Sequence, residues 1–427
     1  MVVGTIIGAS IFVQPSEVTG HVPSVVGIFA AWSLAGLLTL CGSVIAAELA
    51  SAFPRTGGVY VFLKEAYSPA LGFLWGWAMF WTMHTGIIAA IAMVFARYVA
   101  FFLPMGTVAL RGVAIGAVLL LSAINYVGVR QGSTLQTSFT LVKLIAIATV
   151  IALGFAMGPR VVVPPAPATS IDLRGLLLAV AAGLFAFGGW HMVTYAAGET
   201  IDPQRTIPRA LATGTIVVTL CYVLLNAAYL HVLPLATVVS SSRVAADAAD
   251  AVLGGGGAAV MSALVVFSSF GALSGIVLAG PRAYLSMAED GLIFRWAAEV
   301  HPRFRTPHRA ITLQAMWAAV LIATGSYRVL VARVIYTEWI FFALMALGLL
   351  TLRRRAAYAP AYRAPLFPVL PVIFATISLL VVVNQIAAQP FDSAVGLLLV
   401  LAGWPIYQMW LRRTVGSPPS RVLTHAD

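Results

Sequence analysis

The sequence predicts an all-α integral membrane protein of twelve transmembrane helices, with the first and the sixth discontinuous. Three observations lead there. Of 427 residues, 61% are apolar and only 9% charged, whereas a soluble domain carries roughly 25% charged residues. Mean hydropathy is +0.96. The apolar residues gather into runs long enough to cross a bilayer as helices, which takes about 20 residues each, and short segments rich in Pro, Gly and Arg separate the runs.

The predicted spans are 1–19, 23–50, 70–102, 107–128, 134–157, 173–198, 209–234, 257–287, 310–327, 331–354, 366–387 and 393–412. Pro, Gly and charge mark the loops between them, as in "FPRTGGVYVFLKEAYSPA", "GPRVVVPPAPATSIDLR" and "RRRAAYAPAYRAP". Little chain is left for a soluble domain.

The formal net charge of +11 does not imply nucleic acid, because the basic residues punctuate the gaps between apolar runs and form no patch on a folded domain. Lipid is the implied surrounding. If the amino terminus faces the cytoplasm, seventeen of the 25 basic residues fall inside and seven outside, with Lys143 left within a span. That bias predicts a multi-pass protein of the cell (inner or plasma) membrane with both termini cytoplasmic. The first apolar run lacks the basic start and small-residue exit of a cleavable signal peptide. The chain opens almost directly on that run, which leaves room for a cytoplasmic tail upstream. Cys41 and Cys221 both lie in apolar segments and read as small buried hydrophobes, with no disulfide framework.

Span one contains "GTIIGASIF", Gly4 to Phe12, and span six contains "FAFGGW", Phe185 to Trp190. Glycine costs about 1 kcal/mol per helical position relative to alanine, so both spans are weakened midway. Weak points five spans apart suggest an inverted repeat, residues 1–157 against 173–354. Residues 366–412 would add two helices and 413–427 a cytoplasmic tail. Matched breaks of this kind point to a transporter's binding site, although small residues also serve close helix packing. Unwinding at Gly8–Ser10 frees backbone N–H groups at a positive half-helix end, where a carboxylate docks. Unwinding at Gly188–Gly189 bares carbonyls that suit an ammonium. Together they describe an α-amino acid.

Lys143 stands about ten residues into span five, apolar on both sides. A charge at such depth costs roughly 2.5–3.5 kcal/mol and is by default functional. Snorkelling to the interface is the competing reading.

"GTIIGASIFVQP", "AELASAFPRTGGVYVFLKEAY", "FAFGGW", "GETIDPQRTIPRAL" and "GPRAYLSMAEDGLI" resemble the amino acid–polyamine–organocation superfamily, most of all its L-type amino acid transporter branch and bacterial relatives. The resemblance covers nearly the whole chain, with its motifs in order. It places the family's Gly-Ser-Gly motif on Gly8, Ala9 and Ser10. The amides of Ala9 and Ser10 would then hold the substrate carboxylate, and the Ile6 carbonyl would face the amine. Ala9 and Ser10 depart from the family pattern; main-chain donation survives, but Ser10 adds a side chain where the family leaves space, which implies a smaller or more polar substrate. Phe185 matches the aromatic that closes over substrate, Gly188 the carbonyl that receives the amine, and Phe187, Gly189 and Trp190 complete that wall. His191 stands where the family often has Asn, and reads either as a packed histidine or as a pocket-wall donor. Lys143 matches a lysine that fills the place of sodium in related sodium-coupled carriers, with the implied partners Gly4 and Ser274; proton coupling through its amine is the alternative.

Other polar residues receive structural readings. His84 has no motif around it. Glu48 and Glu199 are expected to anchor loops by pairing near Arg55 and Arg205, and Glu338 to pair with an arginine near the outer end of span ten. No His cluster at metal spacing, nucleophile elbow or paired carboxylates within a span support an enzyme, a metal or a cofactor. The expected function is secondary active transport of amino acids, by sodium-independent exchange or proton-coupled uptake. Polyamines or other organic cations are the alternative cargo; they would want acidic residues in the pocket, and the sequence suggests none there. Animal members that join a glycoprotein subunit use a Cys in the outer loop after span three. That loop here reads "FFLPMGTVAL", so no disulfide-linked heavy chain is expected.

Overall fold

The computed structural model describes residues 1–8, 10–158, 172–325 and 327–415. Helices dominate these residues, and no β-strand occurs among them. In a bilayer each backbone polar group must find an internal partner, and the helix provides one within its own segment.

The first predicted span is not one helix. It divides into α1 (Val2–Ile6), a 3₁₀ turn (Ser10–Phe12) and α2 (Gln14–His21). α3 (Val25–Ala52) follows, with the Ser24 hydroxyl accepting from the Gly27 N–H at 3.1 Å as its N-cap. The next loop carries a short helix that the sequence reading passes over, α4 (Val59–Ala66). Val59, Tyr60, Phe62, Leu63 and Ala66 recur at helical spacing and are buried, which gives α4 an apolar face. Lys64, one turn beyond Tyr60, bonds Asp290 at 2.5 Å, and the Tyr60 hydroxyl bonds the same carboxylate at 2.5 Å. Burial, and then that carboxylate, push the Tyr60 phenol above its ordinary pKa.

The third span runs as α5 (Pro69–Ala78), a π turn (Met79–Met83) and α6 (His84–Phe102). α7 (Thr107–Val127) and α8 (Val129–Met157) complete the first half. The sixth span is broken like the first: α9 (Leu173–Ala186), capped by the Asp172 carboxylate, gives way to a 3₁₀ run over Trp190–Glu199. α10 (Pro203–Val232) packs along α3, where the Ser43 and Thr215 hydroxyls meet at 2.8 Å. Two short helices, α11 (Leu235–Ser240) and α12 (Val244–Leu253), lead to α13 (Gly257–Glu289). α14 (His308–Thr324), α15 (Tyr327–Leu352) and α16 (Val369–Ala388) follow. The last predicted span is interrupted, as α17 (Pro390–Leu401) and α18 (Gly403–Val415). Pro405 has no N–H to offer the Leu401 carbonyl and its ring crowds that group, so α17 stops there.

Nine helical stretches among the described residues are long and apolar enough to cross a membrane. Residues 1–21 fall short because their break leaves two short pieces. α14 has 17 residues, and within α15 the described stretch Tyr336–Leu352 is apolar but also short. α1 packs against α8, α10, α13 and the 3₁₀ run, which puts the first break beside the second at the centre of the bundle. Cys41 and Cys221 are free thiols in α3 and α10.

Glu48 and Glu199 do form ion pairs, with other partners than those expected. Glu48 is fully buried and accepts from Arg353 Nε and Nη2 at 2.8 and 2.6 Å, and from the Ala364 N–H at 2.7 Å. Glu199 accepts from Arg282 Nε and Nη2 at 2.9 and 2.8 Å. Arg55 pairs with Glu65 instead. The expectation rested on nearness in sequence, and the bundle brings in arginines 305 and 83 residues away.

Candidate functional site

α1 ends at Ile6. The Gly8 N–H turns back to the Ile6 carbonyl at 2.8 Å, so it does not reach the Gly4 carbonyl that a regular helix would assign to it. The Gly4 and Ile7 carbonyls are thereby released, and the buried Lys143 ammonium of α8 donates to them at 3.1 and 2.8 Å. These oxygens carry the negative end of the short helix's dipole, so a cation there meets both a charge and a hydrogen-bonding need. Gly4 must be glycine for this approach: a Cβ would sit 2.1 Å from the Thr140 hydroxyl of α8. Beyond the break, no acceptor among the described residues takes the Ser10 or Ile11 N–H.

The second break mirrors this. The Phe187 N–H reaches Gly183 and Leu184, and the Gly188 N–H reaches Phe185 at 3.1 Å. Gly189 then adopts φ +92°, and a Cβ there would meet the Thr5 carbonyl at 3.1 Å, so both conformation and space demand glycine. The breaks touch directly, since the Thr5 hydroxyl lies 3.2 Å from the Gly189 carbonyl. They are also bridged. Tyr222 of α10 points its hydroxyl at the Ile6 and Ala186 carbonyls, each at 3.0 Å.

Between the breaks lies a small cavity. Ile6, Gly8 and Ser10 form one wall and Phe185 and Gly188 another, with Ile87 and Ile91 of α6, Ile276 of α13, and Glu338 and Trp339 of α15 closing it. About 20 Å³ is open to water centres, room for roughly one water molecule. An amino acid needs several times that, so its binding must move these walls.

Of the residues expected at the site, Ile6, Gly8, Ser10, Phe185 and Gly188 line the cavity. Ala9 lies outside the described residues. The Ile6 carbonyl already accepts from the Gly8 N–H and the Tyr222 hydroxyl, so it is not free to face an amine here. Phe187 turns away onto Tyr222, ring centroids 5.0 Å apart. Trp190 packs on Phe342 of α15 at 5.0 Å and belongs to the bundle rather than the pocket. His191 is buried in a cage of Trp75, Trp190, Tyr195 and Phe342, because the 3₁₀ run after Gly189 carries it past the cavity. No hydrogen bond joins Lys143 to Ser274, whose hydroxyl is buried without a partner; both bonds of the ammonium go to the first break. His84 bonds the Ile276 carbonyl at 2.9 Å and so braces a cavity wall.

Glu338 is the residue the sequence reading misplaced. It lies well inside α15, is only 7% exposed, and forms no ion pair with an arginine among the described residues. Its place on the cavity wall also corrects the expectation of a pocket without acid. The signal was present: a lone carboxylate inside an apolar span is by default functional.

Nearly the whole chain, not the site alone, matches known proteins. The family model described as amino acid permease matches residues 1–406. The serine/threonine exchanger SteT of Bacillus subtilis (strain 168) is 33% identical over 95% of this chain and 94% of its own. Asc-type amino acid transporter 1 of Mus musculus is 30% identical over 95% of this chain and 78% of its own. b(0,+)-type amino acid transporter 1 of Homo sapiens is 28% identical over 97% and 87%. A broken first helix, a broken sixth helix and a match along nearly the full length agree: the chain belongs to the amino acid permease family.

Proposed function

We propose that the protein is a sodium-independent amino acid exchanger of the cell membrane, working by alternating access with both termini in the cytoplasm. It is a carrier and not an enzyme, and it needs neither cofactor nor disulfide-linked heavy chain. The observation that carries this reading is the pair of touching helix breaks around one cavity. The unpaired N–H groups of Ser10 and Ile11 receive the substrate carboxylate, together with the Ala9 amide. The carbonyl side of the second break, at Gly188, receives the ammonium. Residues 1–157 and 173–354 act as inverted repeats, and rocking of one bundle against the other opens the cavity to each side in turn.

Lys143 supports independence from sodium. Its ammonium already fills the carbonyl cradle at the first break, so a fixed cation stands where a mobile one would be needed. The names of the relatives make serine, threonine and other small neutral amino acids the first cargo to try. Glu338 favours organic cations as a second reading, because it puts a carboxyl in the cavity. A polyamine, however, would leave the N–H groups of the first break without an anion.

Reconstitution into liposomes tests the proposal. Labelled serine should accumulate against internal unlabelled serine, equally in sodium and in choline. Accumulation that demands sodium, or none with any amino acid, would defeat the reading.

A further inference from the structure

We infer that Glu338 recognises the substrate's side chain, and that the cavity selects amino acids whose short side chain ends in a hydrogen-bond donor, hydroxyl or ammonium. This rests on the carrier reading above and deepens it.

The polar groups on the cavity wall divide by role. The first break offers backbone donors, and the second offers carbonyls; between them they account for the two charged ends of a zwitterion. Glu338 is left over. It comes from a different helix, α15, and lines the same cavity as Gly8, Ser10 and Gly188. Thr5 also lines the cavity, but its hydroxyl is taken up by the Val2 and Gly189 carbonyls at 3.0 and 3.2 Å; the other neighbours, Ile87, Ile91, Ile276 and Trp339 among them, are apolar. No hydrogen bond or ion pair satisfies it among the described residues. Lys143 does not neutralise it, because both hydrogen bonds of that ammonium end on Gly4 and Ile7.

A buried carboxyl without a partner is costly, and an intramembrane one marks a site. What remains to satisfy it is the part of the ligand that the two breaks do not hold, the side chain. An apolar side chain would bury the carboxyl unpaired, whereas a donor would pair with it. Sites built to bond a donor reject the isostere lacking it far more strongly than apolar pockets discriminate by size. The small cavity and the Ser10 side chain at its edge restrict that side chain to a short one.

The test is inhibition of labelled alanine counterflow in liposomes by threonine, by its near-isostere valine, and by 2,4-diaminobutyrate. For the wild type, threonine should inhibit at tenfold or more lower concentration than valine. In whatever alanine counterflow Glu338→Leu retains, threonine and valine should inhibit within about threefold of each other. Glu338→Gln keeps an acceptor without the charge; it should hold the threonine preference while diaminobutyrate weakens tenfold or more against threonine. If the leucine variant fails to fold, the glutamine variant alone decides. Equal inhibition by threonine and valine in a wild type that exchanges alanine would overturn the inference and leave the carrier reading intact. An unchanged threonine preference in Glu338→Leu, or unchanged diaminobutyrate inhibition in Glu338→Gln, would do the same. No counterflow of any amino acid would sink both.

Discussion

The Tyr222 hydroxyl stands 3.0 Å from the Ile6 carbonyl, at the last residue of the first half-helix. The same hydroxyl is 3.0 Å from the Ala186 carbonyl, at the last residue of the other interrupted helix. One phenol proton serves two acceptors, so one chain atom ties both ends of the proposed site together. Tyr222 is fully buried and held edge-on by Trp32. Tyr222→Phe leaves two buried carbonyls short of a donor, at about 1–3 kcal/mol. The variant should purify as a folded protein with a lower melting temperature, and its counterflow should fall about tenfold or more. Wild-type melting and transport would show the hydroxyl to be idle.

Lys143→Ala removes what is, among the described residues, the only side-chain hydrogen-bond donor on the Gly4 and Ile7 carbonyls. Charge-assisted bonds contribute about 1.5–3 kcal/mol each. Counterflow should be lost, and Lys143→Arg should not restore it, because the planar guanidinium does not fit a cradle shaped for a compact ammonium. Transport and thermal melting measured on both variants decide this. An arginine variant with wild-type rates would contradict the role given to the ammonium.

Gly189→Ala adds a Cβ at φ +92° and 3.1 Å from the Thr5 carbonyl. The left-handed region alone costs a non-glycine residue roughly 1–2 kcal/mol. The two breaks must then separate. Expression should survive, with substrate affinity reduced tenfold or more in a scintillation-proximity binding assay.

The two loop anchors should differ in weight. Glu48 is fully buried and its Arg353 partner mostly so, whereas Glu199 is 49% exposed at its side chain. Glu48→Ala leaves a guanidinium and the Ala364 N–H short of their acceptor, and breaking a buried pair costs about 3–5 kcal/mol. Glu199→Ala should cost less: it strands no backbone N–H, solvent screens the carboxylate, and Arg282, although only 4% exposed, keeps the Leu278 carbonyl as an acceptor. Melting curves of the two variants should therefore rank Glu48→Ala well below Glu199→Ala. Equal melting would mean that burial does not set the strength of these pairs.

The sequence announced the fold through periodicity and punctuation: Gly, Pro and Arg set the limits of the spans, and paired glycines announced both breaks. Lys143 was equally plain, since no apolar span tolerates an ammonium without a purpose. What escaped was direction. His191 and Trp190 follow Gly189, and only the 3₁₀ geometry after that residue shows that they pass the cavity and pack on Phe342. Ser274 was tied to Lys143 by likeness to a family, whereas the released carbonyls at Gly4 and Ile7 take both bonds. Glu338 was placed near the outer end of span ten, within reach of an arginine, because position along a span does not show which neighbouring helices close around a side chain. Arg282 and Arg353 were invisible as partners because ion pairing across 83 and 305 residues leaves no local trace.

The most direct test of the central idea, a zwitterion held between two helix breaks, is competition by substrate analogues lacking one charged end. Displacement of labelled serine should be measured with serine, serinamide and 3-hydroxypropionate. Only serine should compete, with each analogue weaker by a hundredfold or more, about 2.7 kcal/mol. Serinamide competing as well as serine would mean that no carboxylate is held at Ser10 and Ile11, and the account would fail.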